Sequence, residues 1–114
     1  MAIPLDPRFI PKFVNPLVVP PVYEPDIVKS EDGNVRSHDY TVTMSEFCQQ
    51  ILPPEFPATT VWGYGGRVRD FQTGEIVPDF QHTPGATFEA VRGIPINVKW
   101  MNLLTEPHAL PVDP

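Results

Sequence analysis

Apolar and polar residues alternate most densely between Thr59 and Asn102. Ile96, Val98 and Trp100 alternate with Asn97, Lys99 and Met101, a period of two that fits a half-buried strand. Pro95 heads that strand, where its missing N–H costs least. Upstream, Tyr40, Val42 and Met44 share one face and Thr41 and Thr43 the other, predicting a strand over Asp39–Met44. Ser45–Leu52 either extends it or forms a short helical turn, and Pro53, Pro54 and Pro57 end it in both cases. A second strand is expected over Thr59–Tyr64, followed by the pair Gly65 and Gly66. Pro84-Gly85 reads as a turn into a third strand, Ala86–Val91, and Arg92-Gly93 as the turn into the fourth. Between the second and third strands, Arg67–Thr83 reads as a hairpin excursion around Thr73-Gly74. Lys29–Ser37 is a polar turn cluster centred on Asp32-Gly33.

Four strands with this alternation predict an all-β sandwich or barrel. Four are too few to close one. A layer of that size keeps an apolar face to cover and edges to pair. The expectation is that the chain pairs with another polypeptide or forms one part of a longer protein.

Proline changes the picture at the N-terminus. The chain has 16 among 114 residues, clustered before residue 26 and after residue 50, which disfavours long helices. Residues 2–25 hold seven of them, interleaved with Ile3, Leu5, Phe9, Ile10, Phe13, Val14, Leu17, Val18, Val19, Val22 and Tyr23. That stretch is too apolar for a solvated linker. It reads as an extended arm lying across a larger body, its side chains in shallow grooves. The expected division is a Pro-rich arm over 1–38 and a β-domain over 39–114.

Charge and cysteine narrow the function classes. A net charge of −6 without any Lys or Arg run argues against a nucleic-acid surface. No apolar run approaches the roughly 18 residues that span a bilayer. The N-terminus lacks the basic-then-apolar order of a secretory signal, and the compartment stays open. Cys48 alone gives neither an intrachain disulfide nor a CxxC metal site. It reads as a small buried residue.

Candidate chemistry is sparse. His38, His82 and His108 stand singly, without HxH, HxxxH or HExxH spacing. A metal site built by this chain would have to gather all three from separate loops. Asp70, Glu75, Asp79 and Glu89 are scattered and read as solvated carboxylates. Gly63-Tyr64-Gly65-Gly66 lacks the following Lys-Ser/Thr of a phosphate loop. No GxSxG elbow is present. Trp62, Tyr64 and Trp100 form either a stacking platform or, without basic residues nearby, a packing surface. No catalytic, cofactor-binding or metal-binding residue is assigned.

Three runs together carry a resemblance. They are Thr59, Trp62, Gly63, Tyr64 and Gly66; then Pro84, Gly85, Thr87, Phe88 and Glu89; then Val98, Trp100 and Asn102, with Leu110-Pro111-Val112-Asp113 beyond. In this order the chain resembles the N-terminal cupredoxin-domain segment of bacterial multicopper oxidases, in the branch of spore-coat laccase, bilirubin oxidase and phenoxazinone synthase. The resemblance covers residues 39–114. It implies a partial cupredoxin-like Greek-key β-sandwich. It also implies a copper-dependent oxidase that takes electrons from phenols, pigments or metal ions and reduces dioxygen to water. In that family the first-domain copper ligands come from a His-x-His-Gly motif downstream of the segment matching His108–Asp113, so the chain is expected to stop short of it. Copper is then supplied by ligands outside this chain, which is inactive alone. Its partners are the remaining cupredoxin domains or further copies of itself. The segment from Gly66 to Pro84 is longer than the family pattern. The alternative reading is a non-catalytic β-sandwich module that binds through its open strand edges.

Overall fold

The computed structural model describes residues 5–108. Apart from a 3-10 turn at Pro7–Phe9, the regular structure is all β: β1 Val22–Tyr23, β2 Asp26–Lys29, β3 Val35–Gln49, β4 Thr59–Arg69, β5 Ile76–His82 and β6 Ile96–Asn102. They form one six-stranded sheet, consistent with part of a cupredoxin-like fold.

Two long strands organise it. Thr43–Gln49 of β3 pairs antiparallel with Thr59–Gly65 of β4. Beyond Thr43 and Gly65 the two strands part. The short strands on either side of Glu24-Pro25 fill the gap: β1 pairs with β4 at Val68 and Arg69, and β2 pairs with β3 from Val35 to Asp39. On the far edge of β3, β6 runs parallel to residues 38–44. On the far edge of β4, β5 pairs antiparallel. Among the described residues β5 and β6 each have one partner, so each carries an open edge.

Glycines allow the close approach at the centre. A Cβ on Gly63 would lie 2.7 Å from the Phe47 ring and 2.9 Å from the His82 carbonyl oxygen. One on Gly66 would lie 3.0 Å from the Thr41 carbonyl oxygen. Gly66 also begins the irregularity that shifts the β4–β5 register before Val68.

The hairpins follow from turn chemistry. Between β2 and β3, Asn34 N donates to Asp32 Oδ1 and Gly33 sits at φ +86°. Between β4 and β5, the Asp70 carboxylate accepts from the N–H groups of Gln72 and Thr73 at 2.8 and 2.9 Å. Those bonds hold its pKa below the usual carboxylate range. The excursion read from Arg67 to Thr83 is therefore a true hairpin, and its outer arm is a full strand of the sheet.

Three expectations are corrected. The first strand runs from Val35 to Gln49: beyond Met44 it follows the extended one of the two readings, but it starts earlier than Asp39, inside the stretch read as a turn cluster. Ala86–Val91 forms no strand. Only Thr87 bridges, to Val22, donating to the Pro21 carbonyl and accepting from Tyr23 N. The alternation there is real, since Ala86 and Phe88 face the core, but its neighbour β1 is only two residues long and pairs at Thr87 alone. Cys48 is exposed, not buried. It lies near the end of β3, where the sheet has no layer over it.

The core is small: Tyr23, Tyr40, Val42 and Val68 are buried, with Phe80, Ala86, Phe88 and Val98 packed against them. Phe88 sits 4.6 Å from Tyr23 and 5.0 Å, edge-on, from Tyr40. The loop carrying Phe88 is held by the Thr87 bonds and by Tyr40 Oη donating to the Glu89 carbonyl oxygen at 3.3 Å. Gln49 clamps its start, donating to the Thr83 carbonyl oxygen and accepting from Thr83 N.

Among the arm's described residues only Tyr23 enters this core. Residues 11–20 are exposed throughout, Phe13 included, and so is Phe9. Asn15 Nδ2 donates to the Ile51 carbonyl oxygen at 2.9 Å, a long-range tie to the sheet. The radius of gyration is 18.1 Å, against about 13 Å for a compact chain of this length.

Candidate functional site

The sheet presents two unlike faces. One carries Thr41, Thr43, Ser45 and Gln81, with Gln81 Nε2 donating to Ser45 Oγ at 3.1 Å. The other carries Tyr40, Val42 and Met44 of β3, Val98 and Trp100 of β6, and Trp62 and Tyr64 of β4. The register sets this grouping: Val42 opposes Trp100, Met44 opposes Tyr64, and side chains alternate along each strand.

That apolar face is covered over one half only. Toward β1, Tyr23 and Phe88 close it, and Val42 and Val68 fall to 1% exposure. Toward the other end the cover is thin: the Phe88 ring stands 6.5 Å from Trp100 and Gly85 lies against Tyr64, yet these two side chains stay 53% and 43% exposed. Their rings meet edge-on at 5.8 Å. His108 stands edge-on to Trp62 at 4.8 Å. A shallow cavity of about 170 Å³ opens between Met44, Trp62, Tyr64 and Leu104. Trp62, Tyr64 and Trp100 thus form one surface.

The opposite end of β4 is polar. Arg69 makes a two-pronged ion pair with Glu24, at 2.6 Å from Nη2 to Oε1 and 3.0 Å from Nε to Oε2. Arg67 Nη2 reaches Asp26 Oδ1 at 2.7 Å and the Glu24 carbonyl oxygen at 3.4 Å. The hydrogen bond from Arg69, then its charge, holds the Glu24 carboxyl below its ordinary pKa. These contacts fasten the β1–β2 corner where β3 and β4 part. Every partner is partly exposed, so each pair is worth at most about 1 kcal/mol.

The three histidines stay apart. His38 lies on β3 between Ile27 of β2 and Ile96 of β6. His82 ends β5, its Nδ1 2.9 Å from the Pro84 carbonyl oxygen. His108 stands against Trp62. Among the described residues no three His, Cys, Asp or Glu side chains come together as a metal site would require. The residues present do not fit a copper centre. Asp70 is spent on its turn, and Glu75, Asp79 and Glu89 line exposed backbone without converging on a shared point.

The described residues thus leave a half-covered aromatic face beside the open edges of β5 and β6. Comparison with known proteins gives it a context. No family model matches the chain. Over 103 residues, 90% of its length, it is 39% identical to a laccase of Haloferax volcanii, of which it covers 14%. Over 102 residues it is 34% identical to a laccase of Bacillus subtilis, covering 16% of that protein. A 60-residue stretch is 38% identical to a multicopper oxidase homologue of Oryza sativa. The chain is a cupredoxin-domain segment homologous to the laccases, which are multicopper oxidases. It spans about one seventh of the length of the relatives it matches.

The match extends beyond residues 39–114, to which the sequence motifs confined it. At 90% of the chain it takes in part of the Pro-rich stretch too. Sequence reasoning missed the Arg67–Asp26 and Arg69–Glu24 pairs. They lie about forty residues apart, and no local spacing reports them.

Proposed function

We propose that this chain serves a structural role within a laccase-type multicopper oxidase. It forms the first part of an N-terminal cupredoxin domain, and polypeptide supplied elsewhere completes it. The observation that carries this reading is the bare aromatic half of the sheet face, around Trp100 and Tyr64, beside the open edge of β6. A neighbouring layer buries those side chains at about 25 cal/mol per Å² of apolar surface removed from water. The arm has the same need, because Phe9, Phe13 and Leu17 are exposed and gain only from a surface outside the described residues. In this reading the remaining cupredoxin domains cover both. The copper ligands sit on that other polypeptide, and the oxidation of phenols, pigments or metal ions belongs to the whole assembly. The chain alone is inactive.

Metal analysis of the purified chain after incubation with Cu(II) and desalting tests this. The expected result is less than one tightly bound copper per chain and no blue absorbance. One or more retained coppers per chain, with a visible charge-transfer band, overturns it.

A further inference from the structure

Where residues 17–21 pass alongside β5, a groove of about 280 Å³ lies between arm and sheet. Leu17, Val18 and Pro21 line it from the arm, and Phe80, His82 and Pro84 from the sheet side. The lining is apolar except for one side chain, the His82 imidazole. The Phe80 and His82 rings stack with centroids 5.7 Å apart and planes 16° from parallel, presenting flat surface on that wall.

The His82 tautomer follows from chemistry. Its Nδ1 lies 2.9 Å from the Pro84 carbonyl oxygen. A carbonyl only accepts, so Nδ1 carries the hydrogen and the neutral ring leaves Nε2 as an acceptor. A groove with flat apolar walls and a single acceptor selects a particular ligand. It favours an uncharged planar ring, and among such rings one that carries a polar hydrogen. Size sets a further limit. An apolar cavity of about 150 Å³ already takes up benzene, and drug-sized pockets begin near 300 Å³. One substituted ring or a fused pair fits.

We propose that the groove between residues 17–21 and β5 binds a small neutral aromatic ring bearing one N–H or O–H donor, with His82 as the acceptor. The site needs no copper, although it adjoins the aromatic face, because His82 pairs with Tyr64 on β4. Its test reads a ligand and not copper, so it stands or falls separately from the chain's place in an oxidase.

Indole and 1-methylindole are the probes, since they differ in the one donor. Saturation-transfer NMR on the full chain reads both, and it works equally on a self-associated species. Nine heavy atoms at moderate efficiency give an indole dissociation constant on the order of 1 mM. The methylated ring should bind about 3- to 10-fold more weakly, the value of one hydrogen bond. His82→Phe keeps the flat wall and removes the acceptor, so it should bring the two ligands to equal affinity. Val18→Asp lies on the exposed arm and leaves the sheet intact, so it should weaken both by 10-fold or more. Failure of indole to saturate, an unchanged preference in His82→Phe, or unchanged binding in Val18→Asp would each overturn the proposal.

Discussion

The apolar face of the sheet is a single surface with two fates. At one end Tyr23 from β1 and Phe88 from a loop close over Val42 and Val68, and the four-residue core is as dry as that of any larger protein. Beside them on the same face, Met44, Tyr64 and Trp100 have the same chemistry and thinner cover: Trp100 lies directly opposite Val42 and is still 53% exposed. The difference is not in the strands, whose alternation continues unchanged. It lies in what the chain can send across the sheet. Thr83–Val91 is tied down by Gln49, Pro21 and Tyr40, and it reaches only half of the face.

Breaking the covered half should have the largest effect. Val42→Asp places a carboxylate where exposure is 1%, among the apolar and aromatic side chains of the core, and desolvation should abolish the cooperative fold. Circular dichroism with urea titration would show it as loss of any transition. Gly63→Val comes next. Its Cβ meets the Phe47 ring at 2.7 Å and the backbone at His82 at 2.9 Å, and only the ring has room to move. A loss of about 1–3 kcal/mol is expected in the same titration.

At the polar corner, Glu24→Gln should cost at most about 1 kcal/mol, and its pH dependence is more telling. The folded carboxyl titrates below its unfolded value of about 4.3. Its contribution is thus present above that value and lost as pH falls through the lower folded one. Wild type and variant should differ at pH 6 and converge at the acid end. A gap that persists at low pH would mean that packing, not the ion pair with Arg69, holds the corner.

The smallest effect on stability belongs to the bare half. Trp100→Ser should change the unfolding midpoint by less than about 0.5 kcal/mol, yet it should measurably lower binding of a hydrophobic dye. A large loss of stability would show that this half is already covered.

What was legible in the sequence divides along the same line. Strands that alternate were readable, as at Tyr40–Met44, Thr59–Tyr64 and Ile96–Asn102. So were the turns at Asp32-Gly33 and Thr73-Gly74, because Asp side chains and glycine at positive φ are local signals. Pairing was not readable. Ala86–Val91 alternates because Phe88 is buried, and alternation reports which side faces the core, not whether a neighbour strand exists. Val22-Tyr23 was hidden among prolines. Its two residues are too few for a period, and it joins β4 through a register set forty-odd residues away. Cys48 looked like core by residue type, and a sheet covered on half of one face leaves such residues outside. The histidine spacings alone could not have placed His108 against Trp62.

The central claim is that these strands form part of a layer whose cover is supplied by other polypeptide. Sedimentation of the purified chain, across a hundredfold range of concentration, tests it most directly. The account predicts self-association that deepens with concentration, or co-sedimentation with a second polypeptide. A compact monomer at every concentration, melting in a single cooperative step with Trp100 still exposed, would contradict it.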